Sequence, residues 1–425
     1  MAPAAERLLD CPDLTPTAST TVTPDDSGAW QAAGWGLAAT IAASVLSYAF
    51  QILVARFMSP TSYSDTVAML SLYMVCSLPL TPIFLLITRR VVEARREQRE
   101  ADVRALLHRL LVRGAVLGTV AIAVAFVARA PLAGWLRLSE PMAMPMFALS
   151  IVLSALHLLV IAVLLGRMDW RAANGLPVIF GVSRIALSLV FVRPGFEVAG
   201  TFAAITGSAA LTLALGLVAV TRGLGRGGRY QPLHLGEVGL AIVLNAAFWF
   251  LVQVDTIYVN RELPLVAEGG YVAASGLAKM LVYVPLAVGN VMFPLLSAAP
   301  TATARRQVLR RMLMMAAALD IVGLAAIAVA PERILLLTLG PSHIAAAGYL
   351  LQVGAVLAPL SLVGMCLYDA LARHDRRVST AFAVAAIVAA AILVLVTPAL
   401  PGLYAALLTA SAIMLVSGVV FGVRS

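Results

Sequence analysis

Residues 143–171 read AMPMFALSIVLSALHLLVIAVLLGRMDWR, and this stretch decides the fold. From 143 to 166 it holds no acid, lysine or arginine, and His157 is its one ionisable group. About 20 apolar residues in a helix cover the hydrocarbon core of a bilayer. A helix that is apolar all round has no place on a soluble surface. Arg167, Asp169 and Arg171 then end the run abruptly. The same unit recurs along the chain. By that ruler the sequence predicts about twelve transmembrane helices, near 30–54, 66–88, 110–128, 143–166, 173–192, 198–220, 236–259, 270–297, 312–330, 342–368, 378–397 and 400–422. The 425 residues are 61% hydrophobic and 12% charged, against roughly 45–50% and 25% in soluble chains. The expected fold class is therefore all-α, a polytopic membrane protein. No connection is long enough to hold a separate soluble domain.

The charges lie between the apolar runs. Their formal sum is +9, but this placement serves membrane orientation rather than nucleic-acid binding. One set of alternate loops carries Arg89, Arg90, Arg95, Arg96, Arg99, Arg104, Arg109 and Arg113, then Arg167 and Arg171, then Arg222, Arg226 and Arg229. Arg305, Arg306, Arg310, Arg311, Arg373, Arg376 and Arg377 continue it. The opposite loops hold Arg56, Arg129, Arg137, Arg193, Arg261 and Arg333. The positive-inside rule then places both termini in the cytosol of a cell whose inner membrane the chain spans many times. Residues 1–28, rich in Pro, Thr, Ser and Asp, read as a disordered cytosolic tail rather than a cleaved leader. Cys11, Cys76 and Cys366 show no metal or disulfide spacing, so no cofactor or metal is expected. Residues 91–111 mix Val92, Val103, Leu106 and Leu107 with arginines and glutamates. They read either as an interfacial helix entering span three or as a solvated loop with a helix cap.

The chain carries a faint internal repeat. Tyr63, Val67-Ala68, Pro79, Pro82 and Arg89-Arg90 are echoed by Tyr271-Val272-Ala273, Pro285, Pro294 and Arg305-Arg306. Spans two and eight are both proline-interrupted and both lead into a basic loop. The expected division is a six-helix bundle over 29–222, a cytosolic linker over 223–235, and a second six-helix bundle over 236–425. Broken helices in matching positions point to a central translocation path.

Four charges lie inside predicted spans: Arg184, Asp255, Lys279 and Asp320. A charge at mid-membrane costs at least about 2.5–3.5 kcal/mol, so each needs an explanation. Lys279 is the only lysine of the chain. It and Asp255 fall at depths differing by about 5 Å on consecutive helices, which makes an ion pair reasonable. That pair either neutralises two costs or faces an aqueous cavity and answers an anionic substrate or a coupling cation. Arg184 suits bidentate attraction of phosphate or carboxylate, or serves as a partner for carbonyls. Asp320 reads as a proton or sodium site, or as a contact to a neighbouring helix. His157 reads as a hydrogen-bonded interior histidine, and Arg56 and Asp65 as interface residues.

Several stretches resemble a known family. Leu53-Val54-Ala55-Arg56-Phe57-Met58-Ser59-Pro60 running to Tyr63 is one. Asp255-Thr256-Ile257-Tyr258-Val259, Gly269-Gly270-Tyr271-Val272-Ala273-Ala274 and Phe293-Pro294-Leu295-Leu296 form the second. The third is Leu339-Gly340-Pro341-Ser342, followed by Ala345-Ala346-Ala347 and Leu350-Leu351. Together they resemble the polysaccharide flippases of the multidrug/oligosaccharidyl-lipid/polysaccharide exporter superfamily, such as O-antigen and exopolysaccharide repeat-unit transporters. The resemblance implies two six-helix bundles around a central cavity that work by alternating access. It also implies charge at Arg56, at Asp255 and on span five. The implied substrate is a polyprenyl-diphosphate-linked oligosaccharide, for lipopolysaccharide or exopolysaccharide synthesis. The chain departs from the pattern in Gly270 directly before Tyr271 and in its lone intramembrane lysine.

The leading expectation is accordingly a flippase that carries such a substrate from the cytosolic to the periplasmic leaflet. Membrane lipids surround it, H+ or Na+ is a possible coupling ion, and a polysaccharide polymerase and glycosyltransferases are its pathway partners. A multidrug or cation antiporter of the same superfamily is the second reading, and it calls for an anionic, aromatic-lined cavity. A membrane glycosyltransferase or ligase is the third. It calls for a long outer loop with catalytic groups, which the chain lacks between spans, so an enzyme is not expected.

Overall fold

The structure, a computed structural model, describes residues 26–222, 228, 236–268, 270–297, 299, 301–373, 376–395 and 398–424. Most of the expected tail and linker, with Cys11, Arg226 and Arg229, lies outside these residues.

The described residues fold as an all-α, polytopic membrane protein. Eleven helices among them are long and apolar enough to cross a bilayer. The remaining span is the 32-residue helix Asp26–Phe57, whose stretch Ile41–Phe57 is apolar. The spans are Asp26–Phe57 (one), Pro60–Ser77 with Thr81–Arg96 (two), Glu100–Val127 (three), Ala143–Gly166 (four), Trp170–Phe191 (five) and Glu197–Thr221 (six). Then follow Gly236–Glu262 (seven), Tyr271–Ala278 with Met280–Ser297 (eight), Ala302–Val329 (nine), Ala347–Arg373 (ten), Arg376–Leu395 (eleven) and Leu400–Arg424 (twelve). Residues 91–111 form no separate interfacial element. Span two runs on to Arg96, and span three starts at Glu100 and enters the membrane without a break. Gln98, at a φ of 56°, makes the turn between them. Val91, Ala94, Val103 and Leu107 bury their apolar side against Val160, Val163 and Leu164 of span four.

Span two breaks where its prolines require it. Pro82 has no N–H to offer Leu78, so the helix tightens over Leu78–Leu80. The freed carbonyl of Leu78 accepts the Thr81 hydroxyl at 2.8 Å, as buried backbone requires. Span eight breaks at Lys279, where the amides of Val282 and Tyr283 both donate to the Lys279 carbonyl at 2.9 Å. That break lies six residues before Pro285, and Pro294 sits inside the helix without interrupting it.

Each set of six spans packs mostly within itself. Span six packs on spans four and five, span one on five, and span three on four. Span ten packs on eight, nine and twelve, and span eleven on seven and twelve. Apolar helices gain little by leaving lipid for one another, so close fit of small residues decides such packing. Gly181 of span five shows it: an added Cβ there would meet the Cβ of Leu46 on span one at 2.8 Å. The halves meet chiefly where span two lies against span seven and the first part of span eight. A short helix after span three, Arg129–Leu136, is matched by Pro331–Thr338 after span nine. An alanine-proline pair stands at the start of each, Ala130-Pro131 and Ala330-Pro331, so the two halves share this accessory helix as well.

Candidate functional site

At the arginine-poor end the halves are sealed. Ser64 of span two donates to Asn260 of span seven at 2.8 Å, and the Asn260 amide donates to Asp65 at 3.2 Å. Asp65 is buried and also accepts the Ser139 amide at 2.9 Å and hydroxyl at 2.7 Å. Arg56 donates to the Leu337 carbonyl at 2.8 Å. His343 donates from Nε2 to the Ala55 carbonyl at 3.1 Å, and its ring lies 4.9 Å from that of Tyr63. Arg261 stacks over Trp135 at 4.3 Å. Each of these contacts joins one half to the other, except those between Asp65 and Ser139.

At the arginine-rich end the halves part around a cavity of about 590 Å³. Its wall comes from span two beyond the break, the start of span seven, the second part of span eight and the end of span ten. Phe248, Trp249, Phe293 and Tyr368 give it an aromatic surface, and Asn245 and Asn290 give it polar points. Among the described residues Arg89 is its one charged lining residue, and no carboxylate lines it. The apolar packing has the same asymmetry. One buried cluster runs through the second half and across the seam to Phe50, Val54 and Phe147. A separate cluster holds together the arginine-rich end of the first half alone.

The inner end of this vestibule, at Trp249 and Leu286, gives way one helical turn further on to a layer of hydrogen-bonded side chains. Gln253 donates to Tyr283 at 2.8 Å and to the Met74 sulfur at 3.0 Å. One turn beyond lies Lys279. Its ammonium stands 3.0 Å from Asp255, 3.0 Å from Gln253 Oε1, 3.3 Å from Thr256 and 3.4 Å from Ser71. Ser275 donates to the second oxygen of Asp255, and Thr256 donates to Ser71 at 2.6 Å. Asp255 is 0% and Lys279 3% exposed on the side chain, so neither charge is hydrated from the surface. Mutual attraction plus full hydrogen bonding is what makes such a pair tolerable. Ser71 belongs to span two, so Lys279 ties the first half to the second. A cavity of about 30 Å³ between Phe50, Ser71 and Lys279 leaves room for little more than water.

The sequence-predicted residues thus divide by place. Asp255 and Lys279 meet in the pair expected of them. Arg56 belongs to the seal at the arginine-poor end and does not line the vestibule. Asp320 lies inside the second half, 6% exposed, and accepts the Ser361 hydroxyl of span ten. Arg184 lies inside the first half, over Phe50 at 4.2 Å and Phe180 at 5.2 Å. His157 stacks on the other side of the same locality, 5.8 Å from Phe180. Among the described residues no group of three or more His, Cys, Asp or Glu is placed to hold a metal ion. The sequence reading missed the seam polars Ser64, Ser71, Gln253, Thr256 and Asn260. Their signal was a helical stripe: Gln253, Thr256 and Asn260 stand at i, i+3 and i+7, and Ser64 and Ser71 stand seven apart.

With this geometry in view, solved structures provide a fold. An inward-facing multidrug resistance MATE family transporter of the MOP superfamily superposes with a TM-score of 0.72 at 13% identity, over 90% of this chain and 94% of that one. The chain has the fold of the MATE transporters. An outward-facing MATE transporter gives a TM-score of 0.62 at 14% identity, over 92% of each chain. The Vibrio cholerae MATE transporter VcmN in its bent form gives 0.61 at 14% identity, over 93% of this chain and 95% of that one. No family model matches the sequence, and no curated protein matches it by sequence.

Proposed function

We propose that this protein is an alternating-access carrier that moves a lipid-linked oligosaccharide from the cytosolic to the periplasmic leaflet, with its arginine-rich face in the cytosol. The observation that carries the reading is the vestibule: open on the arginine-rich face, backed one turn past Trp249 by the hydrogen-bonded Gln253, Tyr283 and Met74, and sealed beyond by cross-half hydrogen bonds. A spanning protein with such a chamber binds its cargo on one side and releases it on the other once the seal and the opening exchange. The charge of the chamber favours an anionic cargo. Arg89 is at its mouth, Lys279 lies beyond its inner end, and among the described residues no carboxylate lines it. Aromatic and apolar walls suit sugar faces and the first prenyl units, while the tail remains in lipid.

A multidrug carrier is the second reading, and the aromatic wall of Phe248, Trp249, Phe293 and Tyr368 favours it. A cationic drug, however, would find no counter-charge among the described residues that line the vestibule. Reconstitution separates the two. Proteoliposomes should move a fluorescent prenyl-diphosphate oligosaccharide between leaflets and should leave a cationic dye undisturbed. Movement of the dye alone would overturn the proposal in favour of the second reading. In cells, Arg184→Ala and Asp255→Ala should each abolish complementation of a flippase-deficient strain while the protein stays in the membrane.

A further inference from the structure

The first half holds a half-buried guanidinium that has no counter-charge among the described residues. Arg184 sits near the middle of span five, with Phe50 of span one and Phe180 of its own helix over its faces. Its Nε and Nη2 are shut off from the surface and have no hydrogen-bond partner among the described residues. Those two nitrogens form one edge of the guanidinium, the side-on fork that fits two oxygens of a phosphate or carboxylate. Nδ1 of His157 is likewise enclosed and without a partner. Tyr73 of span two lies within the field of Arg184 and within reach of the hydroxyls of Ser77 and Ser154. No acid stands at this depth in the first six spans. Asp65, Glu140 and Glu197 are at the arginine-poor end, where Asp65 holds Ser139 and Asn260, Glu140 accepts amides of span six, and Glu197 accepts from Ser59. The next acid, Glu93, pairs with Arg89 and Arg90 at the opposite end. A buried charge left in this condition is expensive, so the arrangement asks for an anion from elsewhere.

We infer that Arg184, with Tyr73, Ser77, Ser154 and His157 around it, is a binding site for a phosphate oxyanion inside the first half, separate from the Asp255–Lys279 pair. Phe50 is its inner wall, since the same ring lines the seam cavity that Lys279 lines. An anion passing the ceiling of the vestibule would meet Lys279 on one side of Phe50 and Arg184 on the other. This inference rests on the proposed anionic cargo for its ligand, but its test does not depend on transport.

The full chain in nanodiscs of uncharged lipid is titrated with farnesyl diphosphate, farnesol and inorganic pyrophosphate. The wild type should bind farnesyl diphosphate about 10- to 100-fold more tightly than farnesol, as charge-assisted bidentate bonds require. Arg184→Met should remove that preference, and Arg184→Lys should keep part of it. Competition by pyrophosphate that Arg184→Met abolishes would identify a soluble oxyanion as the ligand. Competition by the prenyl compound alone would identify a lipid-linked one. Arg184→Met without ligand should melt no lower than the wild type, because it removes an uncompensated charge. A lower melting temperature would make the guanidinium structural and overturn the site. A preference for the diphosphate that survives Arg184→Met would also overturn it, while leaving an anionic cargo in place. Absence of any preference in the wild type would remove the anionic cargo along with the site.

Discussion

Replacing Lys279 with methionine tests the mid-membrane pair. The substitution keeps most of the stem and removes an ammonium with four acceptors within 3.4 Å. Asp255, fully enclosed, would keep only the Ser275 hydroxyl as a donor. Breaking a buried pair from one side costs about 3–5 kcal/mol, or about two to three and a half powers of ten in the ratio of folded to unfolded protein. Adding Asp255→Asn removes the stranded charge, so the double variant should regain at least half of that loss. Equilibrium unfolding of the purified protein in mixed micelles measures all four corners of the cycle. Transport by the double variant should remain absent, because the ceiling of the vestibule no longer holds a cation. The reasoning is refuted if Lys279→Met lies within about 1 kcal/mol of the wild type, or if the double variant is no better than the worse single one.

Three further outcomes follow from the same coordinates. Ser64→Cys with Asn260→Cys places two thiols where side chains now touch at 2.8 Å. Oxidation should join them and stop transport, and a reductant should restore it. Gly270 has a φ of 99°, and a Cβ on it would meet the backbone of Ala346 at 2.9 Å. Gly270→Ala should therefore cost about 1–3 kcal/mol and lower the melting temperature, whereas Gly175→Ala, with open space around it, should not. The carboxylate of Glu140 accepts the amides of Glu197, Val198 and Ala199 at 2.8–3.0 Å, and these open the helix of span six. Glu140→Ala should cost about 1–2 kcal/mol of stability, readable in the same unfolding experiment, with the vestibule unaffected.

The fold was largely legible because lipid demands long apolar helices and leaves arginine to mark one face. The uninterrupted run of 143–166 and the basic ends after it could hardly read otherwise. The ends of spans two and three were less legible. Val91 and Val103 are apolar residues among arginines, and only their burial against span four shows that both helices extend past the membrane core. The Asp255–Lys279 pair followed from depth on adjacent helices, which needs no knowledge of the tertiary structure. The seal did not. Ser64 and Asn260 are 196 residues apart, so their pairing depends on how the halves meet, and Asp65 and Ser139, 74 apart, meet only once the first half has packed. Arg56 reads as an interface residue, and the resemblance adds only that charge is expected there; its bond to the Leu337 carbonyl needs the packed halves. For Arg184 the residue type gave the chemistry, but the absence of a neighbouring acid is a property of the packed half.

The most direct measurement is leaflet-to-leaflet movement of a fluorescent prenyl-diphosphate oligosaccharide in proteoliposomes containing the Ser64→Cys, Asn260→Cys variant. The account predicts movement above that of protein-free vesicles under reducing conditions, arrest on oxidation, and recovery on reduction. Movement that continues unchanged with the two cysteines joined, or none in either state while the wild type is folded, would contradict it.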